Sequence, residues 1–179
     1  MTDINKVGIL GSGLMGHGIA YVNALVGIKT VMIDLTQETA DVGFRKIELI
    51  LLEKLKKGLV TKTKIIEILS RITPTNDFNN LNGCDLVIEA VYEDYNLKAK
   101  IIVEAEKYLN KESIFASNTS TIPITSLAKN SHKPNNFIGI HFFSPVHRMK
   151  LIEIIKAKKT SSMTLLKTIE YAKKIKKTP

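Results

Sequence analysis

The feature that most constrains the fold of this chain is a glycine-rich turn near its amino terminus. The apolar run Lys6–Leu10 (KVGIL) leads into GSGLMG at residues 11–16, and a small, apolar stretch typical of a buried helix follows. In the spacing G-x-G-x-x-G, Gly11 permits a tight turn, Gly13 lets the backbone approach a pyrophosphate, and Gly16 lets the helix lie close to the strand. The free helix N-terminus also attracts phosphate. This strand–turn–helix context predicts a dinucleotide site; the alternative is a glycine turn before a core helix.

A carboxylate follows the glycine pattern at the distance expected for ribose recognition. Asp34 ends the β-branched run Lys29–Ile33 (KTVMI) and lies about 20 residues after Gly16, as the ribose-binding acidic residue does. A carboxylate there accepts the adenosine ribose hydroxyls and repels a 2′-phosphate, so the sequence favours NAD over NADP. No arginine adjoins Asp34 to reverse this preference. The alternative is that Asp34 only caps a helix.

Short apolar runs alternate with helical patterns along the whole chain. The strand-like runs are Lys6–Leu10, Lys29–Ile33 and residues 86–90, 113–116, 137–141 and 151–156. The helical stretches are residues 14–26, 38–70, 95–109 and 162–175, the second broken near Gly58. Alternation of this kind predicts βαβ units and a parallel sheet. We expect one α/β domain of 179 residues: a Rossmann-type doubly wound, mostly parallel sheet with helices on both faces and a helical hairpin inserted after the second strand.

The chain is basic, with a net charge of +9 that comes almost entirely from lysine. A basic surface is compatible with nucleic acid, an anionic membrane surface or a polyanionic small molecule. Nucleic-acid readers usually add arginine and exposed aromatic residues. Here arginine is scarce and aromatic residues make up 6%, so a phosphate-bearing metabolite is favoured and no nucleic-acid partner is expected. The alternative is that the lysines only solvate helices.

The sequence also carries indications of location. The opening MTDINKVGIL lacks the pattern of a secretory signal. No stretch reaches the ~18 uncharged apolar residues of a membrane span. The single cysteine, Cys84, can form no internal disulfide, which favours a reducing compartment. We therefore expect a cytoplasmic protein with no membrane span.

One histidine is a strong candidate for acid–base chemistry. Ligands of doubly wound sheets bind at the carboxyl ends of the strands, and His141 closes the strand-like run FIGIH before the loop that contains Ser144. A neutral imidazole there can take the hydroxyl proton of a secondary alcohol while hydride leaves its carbon, which gives a ketone. The alternative is a structural histidine bonded to a loop carbonyl.

Two further groups are expected at the same edge of the sheet. Glu153 interrupts the apolar run at residues 151–155, and a buried carboxylate there needs a partner such as an imidazole N–H; the alternative is an exposed residue of an edge strand. The cluster SNTST at residues 117–121 can hold a substrate oxygen and the nicotinamide, or else cap a helix. The sequence predicts no metal site, because no histidines or cysteines cluster at ligand spacing. It also lacks the G-x-S-x-G elbow of a serine nucleophile.

Taken together, these stretches resemble the 3-hydroxyacyl-CoA dehydrogenase family from about Ile4 to Pro179. The most specific pieces are KVGILGSGLMGHGIA, DLVIEAVYED, IFASNTSTIPITSLA and FIGIHFFSPVHRMKLIEIIK. The resemblance implies oxidation of an L-3-hydroxyacyl-CoA to the 3-ketoacyl-CoA with NAD, as in fatty-acid β-oxidation. It is closest to the dehydrogenase part of multifunctional β-oxidation α subunits, because serine at position 144 stands where many members have asparagine.

The resemblance also implies roles for individual residues. The general base falls on His141, the carboxylate that orients it on Glu153, and the serine near the substrate 3-oxygen and the cofactor on Ser120. A basic residue that reaches coenzyme A falls near Lys57, on a helix that also carries Lys54 and Lys56. The cofactor contacts fall on Gly11, Gly13, Leu14, Met15, Gly16, Asp34, Val91, Glu93, Lys98, Ser120 and Ser144.

Members of the family continue past the position of Pro179 into a helical domain that closes the acyl-CoA cleft. We expect residues 1–179 to be the NAD-binding domain alone, without that helical domain. Full activity is then expected to need a helical partner domain. Apolar surface near residues 144–149 and the last helix is expected to be exposed and to recruit this domain or a second copy.

Three alternatives to this function remain open from the sequence. The chain can be a non-catalytic NAD-binding remnant of such an enzyme. It can be a basic nucleic-acid-binding protein, whose DNA affinity would fall steeply with salt. It can also be a Rossmann dehydrogenase that acts on a hydroxy acid without coenzyme A.

Overall fold

Seven strands form the sheet of the computed structural model, which describes residues 3–179. The strands are β1 (Lys6–Leu10), β2 (Lys29–Ile33), β3 (Ile72–Thr75), β4 (Leu86–Glu89), β5 (Ile114–Ser117), β6 (Phe137–Phe142) and β7 (Ile152–Lys156). Their order across the sheet is β3-β2-β1-β4-β5-β6-β7. All neighbours run parallel except β6 and β7, which are antiparallel. The predicted doubly wound, mostly parallel sheet is confirmed.

Six α-helices connect or flank these strands. They are α1 (Gly16–Leu25), α2 (Gln37–Lys56), α3 (Lys62–Leu69), α4 (Tyr95–Glu106), α5 (Ile124–Leu127) and α6 (Ser162–Lys174). The hairpin predicted after the second strand is formed by α2 and α3, and both helices begin at a threonine cap, Thr36 and Thr61. Between them Gly58 adopts a φ of 68°, a left-handed conformation that favours glycine, so the chain turns there.

Apolar side chains cover both faces of the sheet. Along β1, Ile9 belongs to a core shared with α1, α2, α3 and α6, whereas its neighbour Leu10 belongs to a second core shared with α4 and α5. The same alternation occurs at Ile88 and Val87 of β4. Because successive side chains of a strand point to opposite faces, a parallel sheet covered on both sides has apolar residues at nearly every position. This explains why β1, β2 and β4 are near-continuous apolar runs.

Strand β3 was not predicted from the sequence, and the first helix begins later than predicted. Pro74 lies inside β3, and proline argues against a strand because it cannot donate to the ladder. The strand nevertheless forms, because β3 is the edge of the sheet and pairs only with β2. The helix predicted over residues 14–26 begins at Gly16, since the residues before it form the glycine loop.

The order of the strands places a crevice at the end of β1. Strand β1 lies between β2 and β4, so the connection after β1 and the connection after β4 lead to opposite sides of the sheet. At such a reversal the loops separate, and ligands of open α/β sheets bind there. The Gly11 turn follows β1 and Ala90 follows β4, and the two lie next to each other at these strand ends.

No helix within residues 3–179 has both the length and the apolar character needed to cross a membrane. Met1 and Thr2, which belong to the stretch considered for a secretory signal, lie outside the described residues.

Candidate active site

The glycine loop has the geometry that a dinucleotide pyrophosphate needs. Gly11 has a φ of 97°, and a Cβ on it would lie 2.8 Å from the carbonyl oxygen of Ala90. A Cβ on Gly16 would lie 1.7 Å from the oxygen of Gly11, so only glycine lets α1 start this close to β1. A Cβ on Gly13 would meet nothing within 4 Å. The space above Gly13, together with the N-terminus of α1 that carries no side-chain cap, fits a phosphate group.

Asp34 is fixed beside this loop at the end of β2. Its Oδ2 accepts hydrogen bonds from the backbone N–H of Ser12 at 2.7 Å and from the Ser12 hydroxyl at 2.6 Å, and its Oδ1 accepts from the N–H of Leu35 at 2.8 Å. Partial burial alone raises the pKa of Asp34, but these hydrogen bonds outweigh it and the pKa lies below its usual value. The result is an ionised, partly accessible carboxylate next to the glycine loop.

A buried ion pair that the sequence analysis did not single out lies at the end of β4. Glu89 is fully buried, and its Oε1 lies 2.6 Å from the Nζ of Lys98, a side chain of α4 that is 1% exposed. The other Glu89 oxygen accepts from the hydroxyl of Ser117 at 2.6 Å. The N–H of Val91 also donates to Glu89, at 2.8 Å. A glutamate in an otherwise apolar parallel strand was the available signal, because a buried charge requires a partner.

Glu93 organises the hydroxyl cluster predicted at residues 117–121. Its Oε1 accepts from the Thr119 hydroxyl at 2.6 Å and from the backbone N–H groups of Ser120 and Thr121, each at 3.0 Å. Its Oε2 lies 3.2 Å from the Nζ of Lys98. Partial burial alone raises the pKa of Glu93, but the hydrogen bonds from Thr119 and Thr121 and the Lys98 ammonium bring it to about 2. Glu93 therefore stays ionised and holds Ser120 in place.

The structure brings His141 and Glu153 together across strands β6 and β7. The two residues are direct partners in the antiparallel register, so both side chains leave the same face. The Nδ1 of His141 lies 2.8 Å from the Oε2 of Glu153. A carboxylate only accepts, so Nδ1 carries the proton of the neutral ring and Nε2 is the basic nitrogen.

A cavity of about 240 Å³ joins these two residues to the hydroxyl cluster. His141 and Glu153 line it from one side, and Thr119, Ser120 and Thr121 line it from the other. Asn118, which the sequence analysis named only as part of the cluster, links the two sides because its Oδ1 accepts from the N–H of Phe142 at 2.8 Å. A base, its carboxylate partner and a serine hydroxyl thus surround one small space, which is the requirement for removing a proton from an alcohol.

Two further candidate residues, which the resemblance assigns to the substrate and the cofactor, also lie apart from this cavity. Lys57 is an exposed residue at the end of α2, beside the Gly58 turn. Ser144 is exposed in the loop after β6, before the cis-proline Pro145. Neither lines the cavity that contains His141.

Apolar side chains are exposed along the last helix, as expected, and also along β7, which was not part of that expectation. Residues on and around β7 and α6 form an open groove of about 560 Å³, which includes Leu151, Ile155, Leu165 and Ile169. Leu151 is 49% exposed and Ile155 is 37% exposed.

Comparison with known proteins identifies the family. A family model described as "3-hydroxyacyl-CoA dehydrogenase, NAD binding domain" matches residues 6–179. The chain belongs to this family. The resemblance seen in the sequence is therefore confirmed, as is the expectation of NAD as the cofactor.

Individual relatives of this chain support the family assignment. The chain is 45% identical over 177 residues to the fatty acid oxidation complex subunit alpha of Idiomarina loihiensis, a match that covers 99% of this chain and 25% of that protein. Among solved structures, (S)-3-hydroxybutyryl-CoA dehydrogenase PaaH1 from Ralstonia eutropha is 37% identical with a TM-score of 0.96. FadB2 from M. tuberculosis is 33% identical with a TM-score of 0.95.

This chain spans only part of each of these proteins. It covers about a quarter of the α subunit, 62% of the Ralstonia chain and 63% of the M. tuberculosis chain, while 99% of its own residues are matched each time. The relatives thus contain a substantial part to which this chain has no counterpart among its 179 residues.

Proposed function

We propose that this chain supplies the cofactor site and the catalytic pair for NAD-dependent oxidation of L-3-hydroxyacyl-CoA to 3-ketoacyl-CoA, as in fatty-acid β-oxidation. The observation that carries the proposal is the cavity shared by His141, Glu153 and Ser120, at the carboxyl-terminal edge where the glycine loop also lies. The names of the relatives support the same reaction class, because they include a 3-hydroxybutyryl-CoA dehydrogenase and a fatty acid oxidation subunit.

The chemistry divides between the cofactor and the side chains. NAD, when bound, accepts the hydride that leaves the C3 carbon of the substrate. His141 Nε2 takes the proton of the 3-hydroxyl group. One hydrogen and two electrons thus leave the substrate as hydride, and the second hydrogen stays on the imidazole as a proton. Glu153 holds Nδ1–H at 2.8 Å and stabilises the imidazolium that forms. The hydroxyl of Ser120 donates a hydrogen bond to the 3-oxygen of the substrate.

We assign the cofactor contacts to the residues that the family resemblance indicates. Gly11, Gly13, Leu14, Met15 and Gly16 provide the phosphate loop, and Asp34 accepts the adenosine ribose hydroxyls. The residues proposed to surround the nicotinamide half are Val91, Glu93, Lys98, Ser120 and Ser144. The coenzyme A part of the substrate extends to the basic end of α2. There the ammonium group of Lys57 can bind one of its phosphate groups.

The proposal includes a partner and a compartment. Residues 1–179 act as one NAD-binding domain, and a helical domain, in a longer chain or as a separate one, covers the exposed apolar groove beside β7 and closes the cleft over His141. The reaction takes place in the cytoplasm, where Cys84 remains a free thiol.

The test is NADH formation from 3-hydroxybutyryl-CoA by this chain, with and without the helical domain of a related dehydrogenase added as a separate chain. We expect turnover that increases when the helical domain is present, and inhibition by free coenzyme A. Absence of turnover under both conditions contradicts the proposal. If NAD binds but neither condition gives turnover, the chain is a non-catalytic NAD-binding remnant.

A further inference from the structure

Three charged groups form one connected network at the carboxyl ends of β4 and β5. Lys98 Nζ lies 2.6 Å from Glu89 Oε1 and 3.2 Å from Glu93 Oε2, and it also donates to the carbonyl oxygen of Val91 at 3.3 Å. Glu89 is tied to β5 through Ser117. One ammonium thus serves two carboxylates, and the network carries a net charge of −1.

The excess negative charge is unusual because most of the network is out of water. Glu89 is 0% and Lys98 is 1% exposed, while Glu93 is one-third exposed. The buried pair of Glu89 and Lys98 is neutral by itself, so Glu93 adds a negative charge that has no cation of its own. The hydrogen bonds from Thr119, Ser120 and Thr121 compensate Glu93, but they do not neutralise it. A net charge at this depth is weakly screened and acts over several ångströms.

The position of the network relates it to one half of the dinucleotide. The glycine loop follows β1 and Asp34 follows β2, so the phosphates and the adenosine ribose lie on that side of the crevice. The other half of the molecule extends toward β4 and β5, where the network lies. In NAD⁺ the nicotinamide ring carries a positive charge, and in NADH it carries none.

We propose that the Glu89–Lys98–Glu93 network selects the oxidised cofactor over the reduced one by its net negative charge, and that Glu89 is a selectivity-determining residue. This inference rests on the proposed cofactor site. Glu89 does so without touching the cofactor, because it cancels the charge of Lys98 and leaves the charge of Glu93 uncompensated. Binding of NAD⁺ gains from the attraction, and release of NADH is favoured once hydride transfer has removed the positive charge.

The test measures dissociation constants of NAD⁺ and NADH for the whole chain, by calorimetry and by NADH fluorescence. Glu89→Gln makes the network neutral and should raise the ratio Kd(NAD⁺)/Kd(NADH) by ~3- to 10-fold. Lys98→Met leaves two carboxylates and should lower the same ratio by a similar factor. If the two variants shift this ratio in opposite directions, the cause is the change in charge. A disrupted structure at either buried position has no reason to produce opposite signs.

Two further variants keep the test decisive. Glu93→Gln, at a partly exposed position, repeats the neutralisation if Glu89→Gln does not fold. Asp94→Asn is the matched control: it removes a neighbouring carboxylate that is exposed and caps α4 by accepting from Leu97, and asparagine retains the cap. The ratio should stay within about twofold of the wild type in Asp94→Asn, because an exposed charge is screened.

The outcomes are distinct. Opposite shifts for the glutamate and lysine variants support the inference. Shifts in the same direction, or an unchanged ratio in a folded neutral variant, overturn it and leave the proposed function intact. If the wild-type chain binds neither NAD⁺ nor NADH, the proposed cofactor site itself fails.

Discussion

The two ends of the dinucleotide crevice are built in different ways. On the β1–β2 side, the phosphate loop and Asp34 come from one short stretch of chain, and Ser12 connects them through its hydrogen bonds to the Asp34 carboxylate. On the β4–β7 side, several functional side chains depend on contacts between separate elements, such as Lys98 of α4 with Glu89 of β4 and His141 of β6 with Glu153 of β7. The first side therefore depends on local backbone geometry and the second on the assembled sheet.

The two sides therefore differ in the kind of substitution to which each is sensitive. Few side chains contribute to the β1–β2 side. Cofactor binding there is therefore most sensitive to substitutions that fill the space left open by glycine. The β4–β7 side holds its geometry through charges and hydroxyl groups, so single side-chain changes should alter chemistry or selectivity there while cofactor binding persists.

The largest expected effect falls on the β4–β7 side. His141→Ala should reduce the rate of NADH formation by ~100- to 10,000-fold, the usual contribution of a general base. The dissociation constant of NAD should change by less than about twofold, since the side chain lies in the cavity with Glu153 and Ser120 rather than on the glycine loop. Steady-state kinetics with 3-hydroxybutyryl-CoA and calorimetry with NAD give the two numbers.

A matched control for this variant is His132→Ala, which removes an exposed histidine of a distant loop. Its rate should equal that of the wild type. A His141→Ala rate within tenfold of wild type would falsify the assignment of the general base.

Two glycines of the same loop should separate folding from binding on the β1–β2 side. Gly16→Ala places a Cβ 1.7 Å from the Gly11 oxygen and should lower the free energy of unfolding by about 3 kcal/mol. Gly13→Ala meets no atom within 4 Å, so the free energy of unfolding should change little, while NAD affinity should fall by about tenfold or more because the methyl group occupies the phosphate space.

Urea denaturation and calorimetry on both glycine variants provide the measurements. Equal losses of stability in the two variants would contradict the division of roles within the loop. Normal NAD affinity in Gly13→Ala would show that the phosphates bind elsewhere.

Asp34 should control the choice between NAD and NADP. Asp34→Asn keeps an oxygen to accept from Ser12 but removes the charge that repels a 2′-phosphate. The ratio of NADP affinity to NAD affinity should rise by about tenfold. Binding titrations with both cofactors test this, with Glu38→Gln, an exposed carboxylate in the first turn of α2, as the control that leaves the ratio unchanged. An unaltered ratio in Asp34→Asn argues against ribose recognition by this residue.

The smallest expected effect is a pH dependence on the β4–β7 side. The pKa of Glu93 is about 2 in the folded protein, against 4.5 for the free group. The stabilisation from the ionised carboxylate is therefore complete above about pH 4.5 and is lost as the pH falls toward about 2, since protons then bind the unfolded chain first. The difference in free energy of unfolding between wild type and Glu93→Gln should shrink when the pH is lowered through this range.

Urea titrations at a series of pH values measure that difference. Thr119→Val removes one hydrogen-bond donor from the carboxylate and should make the dependence shallower. A difference that stays constant down to about pH 3 is incompatible with an ionised Glu93 anchoring the loop.

Several elements were predictable because their signals are local. The strands at Lys6–Leu10 and Lys29–Ile33 and the hairpin broken near Gly58 appear where the apolar runs and the turn residue indicate. Strand β3 was missed because Pro74 opposes it locally, and only its position at the sheet edge makes it acceptable. Glu89 interrupts an apolar run, which was a usable signal, but nothing in its neighbours along the chain reveals Lys98 as its partner.

The class of fold and the cofactor loop could be predicted from the amino-acid sequence, because backbone sterics and the two-residue period of strands act over a few residues. His141 and Glu153 could be predicted as candidates, since strand ends and alternation limit where a side chain can point. The groups that share a cavity and the charges that remain uncompensated became visible only in the folded structure. Those properties depend on strand register and helix position, which bring together residues far apart in the chain, and Coulomb forces act through space rather than along the sequence.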